Sequence, residues 1–521
     1  MINRYLHTIK NLKLKQILYR LYYSMNQLDK KRFISFVPKL SYPLDIQENI
    51  RSYVSYYEKN TFKFLNKSYS FGQKIDWNYA GYGLLWVYNL NYFEFLLQPD
   101  LCKETGLRLM NDFLCQYKEV KIGYDSYPVS LRNVFWIKFL TKHSVKDERI
   151  DAFLFSQYII LLHNLEYHLL GNHLLENAFS LLIGAYYFRD STLYKKARLL
   201  LKKELNEQIL NDGGHYELSS MYHQILLYRL LDCINVILKN KWVEDDLFQF
   251  LASKASLMLS WLQNITFTSG MIPLLNDSTN LIAPLSDDLF DYAKSLNIKF
   301  QPLPLSDSNY RIFSGNTFKC IMDIGGIMPK YQPGHAHADT FNFVLEINSK
   351  SVLDDTGCST YEAGEIRDFE RGTTAHNTVS FNEKNSSQVW ASHRVGKKAK
   401  VKIIQDSNSR IIVQHDGYKD LGIIHQRSFY QIDDRTIKII DKVIGNNDMR
   451  GIAYFHIDQE ISDIRIEKNI IFLPVCKIIF YKPEDIALKR FEQALGFNQR
   501  IDSICIGVKF QKELITSIEW L

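Results

Sequence analysis

From about Tyr42 to Lys294 apolar residues recur at spacings of three and four over long segments, as in FLFSQYIILLHNLEYHLLGNHLLENAFSLLIGAYYF and YHQILLYRLLDCINVILKN. That period gathers them on one broad face, which predicts helices buried against one another. Polar punctuators such as Asn211-Asp212-Gly213-Gly214 separate the segments, the arrangement of stacked helical hairpins. Around Pro302 to Ser314 the period changes. From there to Leu521 short runs alternate apolar and polar, among them FKCIMDI, FNFVLEI, RIIVQHDG, RTIKIIDKVIG and IAYFHI, broken by Gly, Asn and Asp. Such alternation predicts antiparallel strands in stacked sheets. A chain of 521 residues is long enough for more than one core. The expected division is a multi-domain α + β chain: an amphipathic helical segment over 1–41, a helical domain over 42–301 and an antiparallel β-sandwich over 302–521.

Composition narrows the function classes. With 46% hydrophobic and 23% charged residues the chain reads as soluble and globular. Aromatics reach 14%, which serves either a large core or a wall that stacks on sugar rings. The net charge of +6 is spread without a dense Lys/Arg block, so nucleic acid is not an expected partner; an anionic small molecule or polysaccharide fits better. Seven scattered cysteines, with no CxxC pair, argue against a disulfide framework and a cysteine zinc site. The opening MINRYLHTIKNLKLKQILYRLYYSM is basic and amphipathic, lacks a continuous apolar stretch and a small-residue cleavage site, and is too polar to span a bilayer. It is expected to be a docking helix and not a transmembrane segment. The expected location is the cytoplasm, with a periplasmic or membrane-associated protein as the alternative.

Four polar constellations interrupt this pattern. In LLGNHLLENAF, Asn172, His173 and Glu176 share roughly one helix face inside an almost wholly apolar segment, so each needs a hydrogen-bonding partner, structural or ligand. DGGHYELSSMYHQ turns sharply into a helix that Ser219 or Ser220 can cap, with Tyr222 and His223 at its opening. PGHAHADTFNFVLEI and the later DDTGCSTYEAGEIRDFERGTTAHNTVSF bring His335, His337, Asp339, Asp355, Arg367, Arg371 and His376 close in sequence; His, Asp and His on three neighbouring segments suit tetrahedral zinc. LWVYNLNYFEFL and SYPVSLRNVFWIKFL supply Asn89, Arg132 and Trp136, the make-up of a sugar-binding wall; core packing explains the aromatics equally well, whereas Arg132 in an apolar helix calls for an anion.

Taken in order, NHLLEN, DGGHYELSSMYH, GHAHAD, DDTG and RGTTAHNTV resemble the heparinase II/III-like polysaccharide lyases, a group related to alginate and oligoalginate lyases. The resemblance implies an incomplete (α/α) toroid followed by a layered β-sandwich, with the site between them. It implies β-elimination on a uronic-acid-containing bacterial polysaccharide, of the kind handled by polysaccharide gene clusters. On this likeness Tyr222 and His335 are the acid–base pair, and Asn172, His173 and Glu176 handle the substrate carboxylate. Asn89, Arg132, Trp136, His223 and Arg371 are expected along the substrate wall. His337, Asp355 and His376 are the expected ligands of a structural Zn2+. A homodimer is one assembly it allows. The alternative is a non-catalytic polysaccharide-binding or assembly protein of a capsule or exopolysaccharide system that keeps the lyase fold.

Overall fold

A computed structural model describes residues 2–25, 34, 39–47, 50–446 and 448–520. Of the expected N-terminal segment, 1, 26–33 and 35–38 lie outside the described residues. The described part of that segment includes two helices, Ile2–Lys10 and Leu14–Met25.

A small three-stranded sheet over Tyr56–Ser70 precedes a run of helices from Leu84–Tyr92 to Ser286–Ser295. Among the longest helices, Gly171–Phe188 pairs with Ser191–Gln208 and Ser220–Lys239 with Leu247–Ile265 as hairpins, and Gly171–Phe188 also packs on Ser126–Lys142 and Ser220–Lys239. They form the incomplete toroid. Gly171–Phe188 is buried almost all round, which is why its sequence is apolar on nearly every face. The aromatic excess goes largely into this half: Phe62, Phe64, Trp77, Trp86, Phe93, Phe95, Phe113 and Trp136 form a contiguous buried cluster with rings in edge and stacked contact.

After the helical half ends with Ser286–Ser295, the strands of the second half begin at Tyr310, with a short α-helix, Glu365–Glu370, among them. Three larger antiparallel sheets and a two-stranded one, Val389–Trp390 with Arg394–Val395, follow among the described residues. The first joins Tyr310–Ser314, Phe318–Asp323, Phe343–Ile347 and Lys350–Leu353 in that order. An eight-stranded sheet runs from Val401–Ser407 through Thr436–Gly445 and Glu513–Trp520 to Arg465–Glu467. A four-stranded sheet is built on Asp485–Gly496 and Gln499–Gln511. Alternation predicts an exposed face for FNFVLEI, yet all five residues of Phe343–Ile347 are buried, because the helical half covers its outer side. Even Glu346 is inside, where its carboxylate accepts from the backbone amides of Thr268 (2.9 Å) and Ser269 (3.1 Å).

The halves are joined by polar bonds beside this sheet. Asp212 accepts from the Ser306 and Ser308 amides and the Ser308 hydroxyl, and Tyr310 donates to the Leu218 carbonyl at 2.7 Å. The turn carrying Asp212 needs glycine: Gly213 has φ +90°, and a Cβ there would run into the Leu257 carbonyl. No helix among the described residues is long and apolar enough to cross a membrane.

Candidate active site

Segments from both halves meet at Tyr222 and His335. Ser219 caps the helix Ser220–Lys239 by accepting from the Tyr222 amide (3.2 Å), while its hydroxyl donates to the Asp277 carbonyl (2.7 Å). One short side chain thereby fixes the start of the helix and ties it to the loop behind His335. The Tyr222 ring lies 4.2 Å from the His335 ring between centroids, and its hydroxyl is 3.2 Å from that of Tyr361. Burial pushes the Tyr222 phenol well above its usual range, so it holds its proton at neutral pH.

Asp277 is the hub. Fully buried, it lies 2.9 Å from His335 Nδ1 and 2.8 Å from His337 Nε2, and both its oxygens take the Arg367 guanidinium, at 2.5 and 2.7 Å. Burial alone would raise this carboxyl, but Arg367 and the two imidazoles hold it well below the usual range. An ionised Asp277 fixes Nδ1 of His335 as the protonated nitrogen and leaves Nε2 as the basic one. Beyond Nε2, 3.9 Å away, is Glu217, whose carboxylate accepts from the Asn172 side chain at 2.8 Å. Burial works to raise Glu217; His215, His335 and Asn172 prevail and keep it low. His173 pairs through Nδ1 with Glu166 at 3.1 Å and stands 4.8 Å from the Tyr127 ring. Burial lowers the His173 imidazole, yet Glu166 outweighs it and the net shift is upward, towards the charged form.

Several expected wall residues lie elsewhere. Arg132 is fully buried and finds no anion: it donates to Gln157 (2.6 Å) and the Asn91 carbonyl (3.3 Å) and lies over Phe113, with burial drawing it down to about 10. Trp136 belongs to the aromatic core. His223 sits between the Met258 carbonyl and the His215 amide, and burial drives its imidazole to about 3. Asn89 bonds back to the Leu85 carbonyl of its own helix. Arg371 is buried and donates to the carbonyls of Ala336, Ala391 and Ser392, so it holds the backbone between His335 and His337. Glu176, also fully buried, faces Arg229 at 3.3 Å, and burial pushes it up to about 7. Arg132, His223, Asn89 and Arg371 share a cause: a polar side chain inside a mostly apolar segment finds partners within the protein.

Residues the sequence reading gave no site role complete the cluster: Asp277, Glu217, Glu166, Tyr361 and Arg367. Asp277 stands in LLNDSTN, where an apolar run breaks into consecutive polar residues, the one local signal for it.

For a metal, the donor atoms of Asp277, His335 and His393 lie within 4.8 Å of one another, a His/Asp triad of suitable composition. Arg367 already occupies both Asp277 oxygens with positive charge, which opposes a cation there. The expected trio is arranged differently. His376 Nδ1 contacts Asp355 at 2.8 Å, His337 turns to Asp277 instead of Asp355, and the two imidazoles are 5.3 Å apart between centroids. His337 Nδ1, His376 Nε2 and Asp339 Oδ2 are buried without a hydrogen-bond partner. Two imidazole nitrogens and a carboxylate oxygen left bare in one buried region are the donor types zinc takes.

Family models for the heparinase II/III N-terminus and the heparinase II/III-like C-terminal region match residues 126–295 and 299–493. A heparin-sulfate lyase of Bacteroides stercoris is 26% identical over 59% of this chain and 49% of its own length; one of Pedobacter heparinus is 23% identical over 53% and 44%. The chain thus spans about half the length of these curated relatives. A solved heparinase III has a TM-score of 0.65 at 15% identity, covering 99% of this chain and 93% of that one. The heparan sulfate lyase of Pedobacter heparinus scores 0.56 at 16% identity, over 87% and 79%. With both halves matched in order and the toroid-plus-sandwich architecture shared, the chain belongs to the heparinase II/III-like family.

Proposed function

We propose that the protein is a lyase that cleaves a uronic-acid-containing anionic polysaccharide by β-elimination. The observation that carries this reading is the pairing of Tyr222 with His335, the imidazole backed by ionised Asp277 and the phenol kept protonated. β-Elimination needs a base for H5 and an acid for the departing O4, with the uronate carboxylate neutralised as negative charge moves into it. In this assignment His335 Nε2 takes H5 while Asp277 stabilises the imidazolium. Tyr222, whose burial opposes the phenolate, gives its proton to O4. His173, biased towards its charged form by Glu166, faces the substrate carboxylate, and Asn172, oriented by Glu217, adds an amide. Glu176 supports this helix from inside the toroid, not by touching substrate. The similarity to heparin-sulfate lyases favours a glycosaminoglycan-like polymer.

A zinc ion is proposed at His337 and His376 with a carboxylate from Asp339 or Asp355, which the unpartnered donor atoms support. Bound there, it would supply a structural tie between the segments flanking His335; the elimination needs no activated water.

The test is incubation of the protein with a panel of uronic-acid polymers, read by ultraviolet absorbance of the unsaturated product. Wild type should form it. Tyr222→Phe and His335→Ala should bind polymer and form at most about a hundredth as much. A folded, metal-loaded wild type that is silent across the panel overturns the reading.

A further inference from the structure

The two N-terminal helices bond to both the helical and the sheet half of the chain, and these bonds converge on the two loops that deliver the site residues. On the helical side, Gln16 donates to the Leu169 carbonyl (2.9 Å), Arg20 to the His168 carbonyl (3.3 Å) and Tyr23 to the Leu165 carbonyl (2.6 Å), while the Tyr19 and Tyr167 rings lie 4.7 Å apart. This loop holds Glu166 and leads directly into Asn172 and His173. On the sheet side, Gln332 receives Gln16 (2.7 Å) and Arg20 (3.0 Å) on its side-chain oxygen, and its own amide donates to the Asn11 carbonyl (2.8 Å). Three residues later comes His335. Asn11 and Thr8 extend the attachment to the carbonyls of Val395 and Gly396.

Two details single out Gln16. It is fully buried, and its amide is saturated: Nε2 serves both loops, and Oε1 accepts from the Lys13 amide at 2.9 Å. Both loops also contain a non-glycine residue in the left-handed region beside the site, Leu170 at φ +62° and Gln332 at φ +46°. Such conformations are costly and persist only where surrounding bonds hold them. Bonds from the two N-terminal helices and the turn between them reach the residue before Leu170 and Gln332 itself.

We propose that Gln16 is a positioning residue: through Leu169 and Gln332 it sets the spacing between the carboxylate-handling pair Asn172/His173 and the base His335. Its effect on catalysis rests on the lyase reading above; the coupling of the two loops does not.

The experiment therefore has two readouts on the full chain. Hydrogen exchange is followed in peptides covering 165–171 and 330–336 for wild type, Gln16→Met, Gln332→Leu, Gln332→Glu and Leu18→Ser. Gln16→Met removes both donors at similar volume, and Gln332→Leu removes the shared acceptor. Gln332→Glu keeps that acceptor, and Leu18 is on the exposed outer face of the hairpin. Gln16→Met and Gln332→Leu should speed exchange in both loops together, by about tenfold or more, and Gln332→Glu and Leu18→Ser should leave both at the wild-type rate. Change confined to residues 2–25, or to one loop only, overturns the proposal. Should Gln16→Met not fold, Gln332→Leu alone decides, since it removes the acceptor that Gln16 uses, and failure to loosen both loops again overturns the proposal. On a polymer that wild type cleaves, Gln16→Met should lower kcat about tenfold or more with KM within about twofold, since binding groups remain and their alignment with the base is lost. A wild type that cleaves no uronate polymer sinks the lyase reading alone, and exchange still decides the coupling.

Discussion

Replacing Asp277 by Asn keeps the shape of the hub and removes its charge. Four side-chain bonds end on this carboxylate, two from Arg367, whose guanidinium is itself fully buried. Without the anion, Arg367 is left as a buried charge with no counter-ion. Breaking a buried pair from one side costs about 3–5 kcal/mol, which corresponds to a factor of roughly 10²–10³ or more in the folding equilibrium. The new amide also has an N–H where Asp277 had only acceptors. It can stabilise the His335 tautomer protonated at Nε2, the atom that should take H5. Loss of a positioned base contributes about 10²–10⁴-fold, so kcat/KM should fall by that order even in the folded fraction. Denaturant unfolding measures the first effect and product formation at matched folded concentration the second. The double variant Asp277→Asn/Arg367→Met should recover part of the stability and none of the activity. Wild-type stability and rate in Asp277→Asn would refute the assignment of Asp277 as an ionised hub.

Other expectations follow from the same geometry. Arg132→Met should leave polymer affinity unchanged and cost about 1–3 kcal/mol, since it strips a buried Gln157 oxygen of its donor; calorimetry and a binding assay separate these, and a loss of affinity would restore Arg132 to the cleft wall. Glu166 raises the His173 pKa, so the charge on His173 is complete below its ordinary value of 6.5 and is lost as pH rises through the raised one. Glu166→Gln should accordingly shift the alkaline loss of polymer binding to lower pH; an unchanged profile removes the imidazolium from the binding step. Elemental analysis of His337→Ala and His376→Ala should show less than one equivalent of zinc where wild type holds one, and a His337→Ala protein that keeps a full equivalent rejects the ligand set.

The change of period near Pro302 made the helical and sheet halves legible, because burial on one broad helix face and alternation on a sheet leave different spacings in one chain. FNFVLEI misled in detail: its alternating letters carry no information about the helical half that covers its polar side, including Glu346. Within the site, Tyr222 and His335 stood out because local structure gives no reason for them. Arg132 and His223 stood out for the same reason, yet they are satisfied by partners far along the chain, Asn91 and Met258. The reverse error hid Asp277. A single acid in LLNDSTN is unremarked in sequence, and its weight comes from meeting Arg367, His335 and His337 across 90, 58 and 60 positions. The hairpin over Ile2–Met25 was legible as amphipathic and docked, but not that its polar face reaches both site loops.

Cleavage of a uronate oligosaccharide of known mass, with product masses read by mass spectrometry, tests the central claim most directly. Elimination breaks the C4–O4 bond without adding water, so the fragment masses should sum to that of the substrate and one fragment should carry a C4–C5 double bond. Fragments whose masses sum to the substrate plus one water, with no unsaturated product, would mean hydrolysis and would contradict the account.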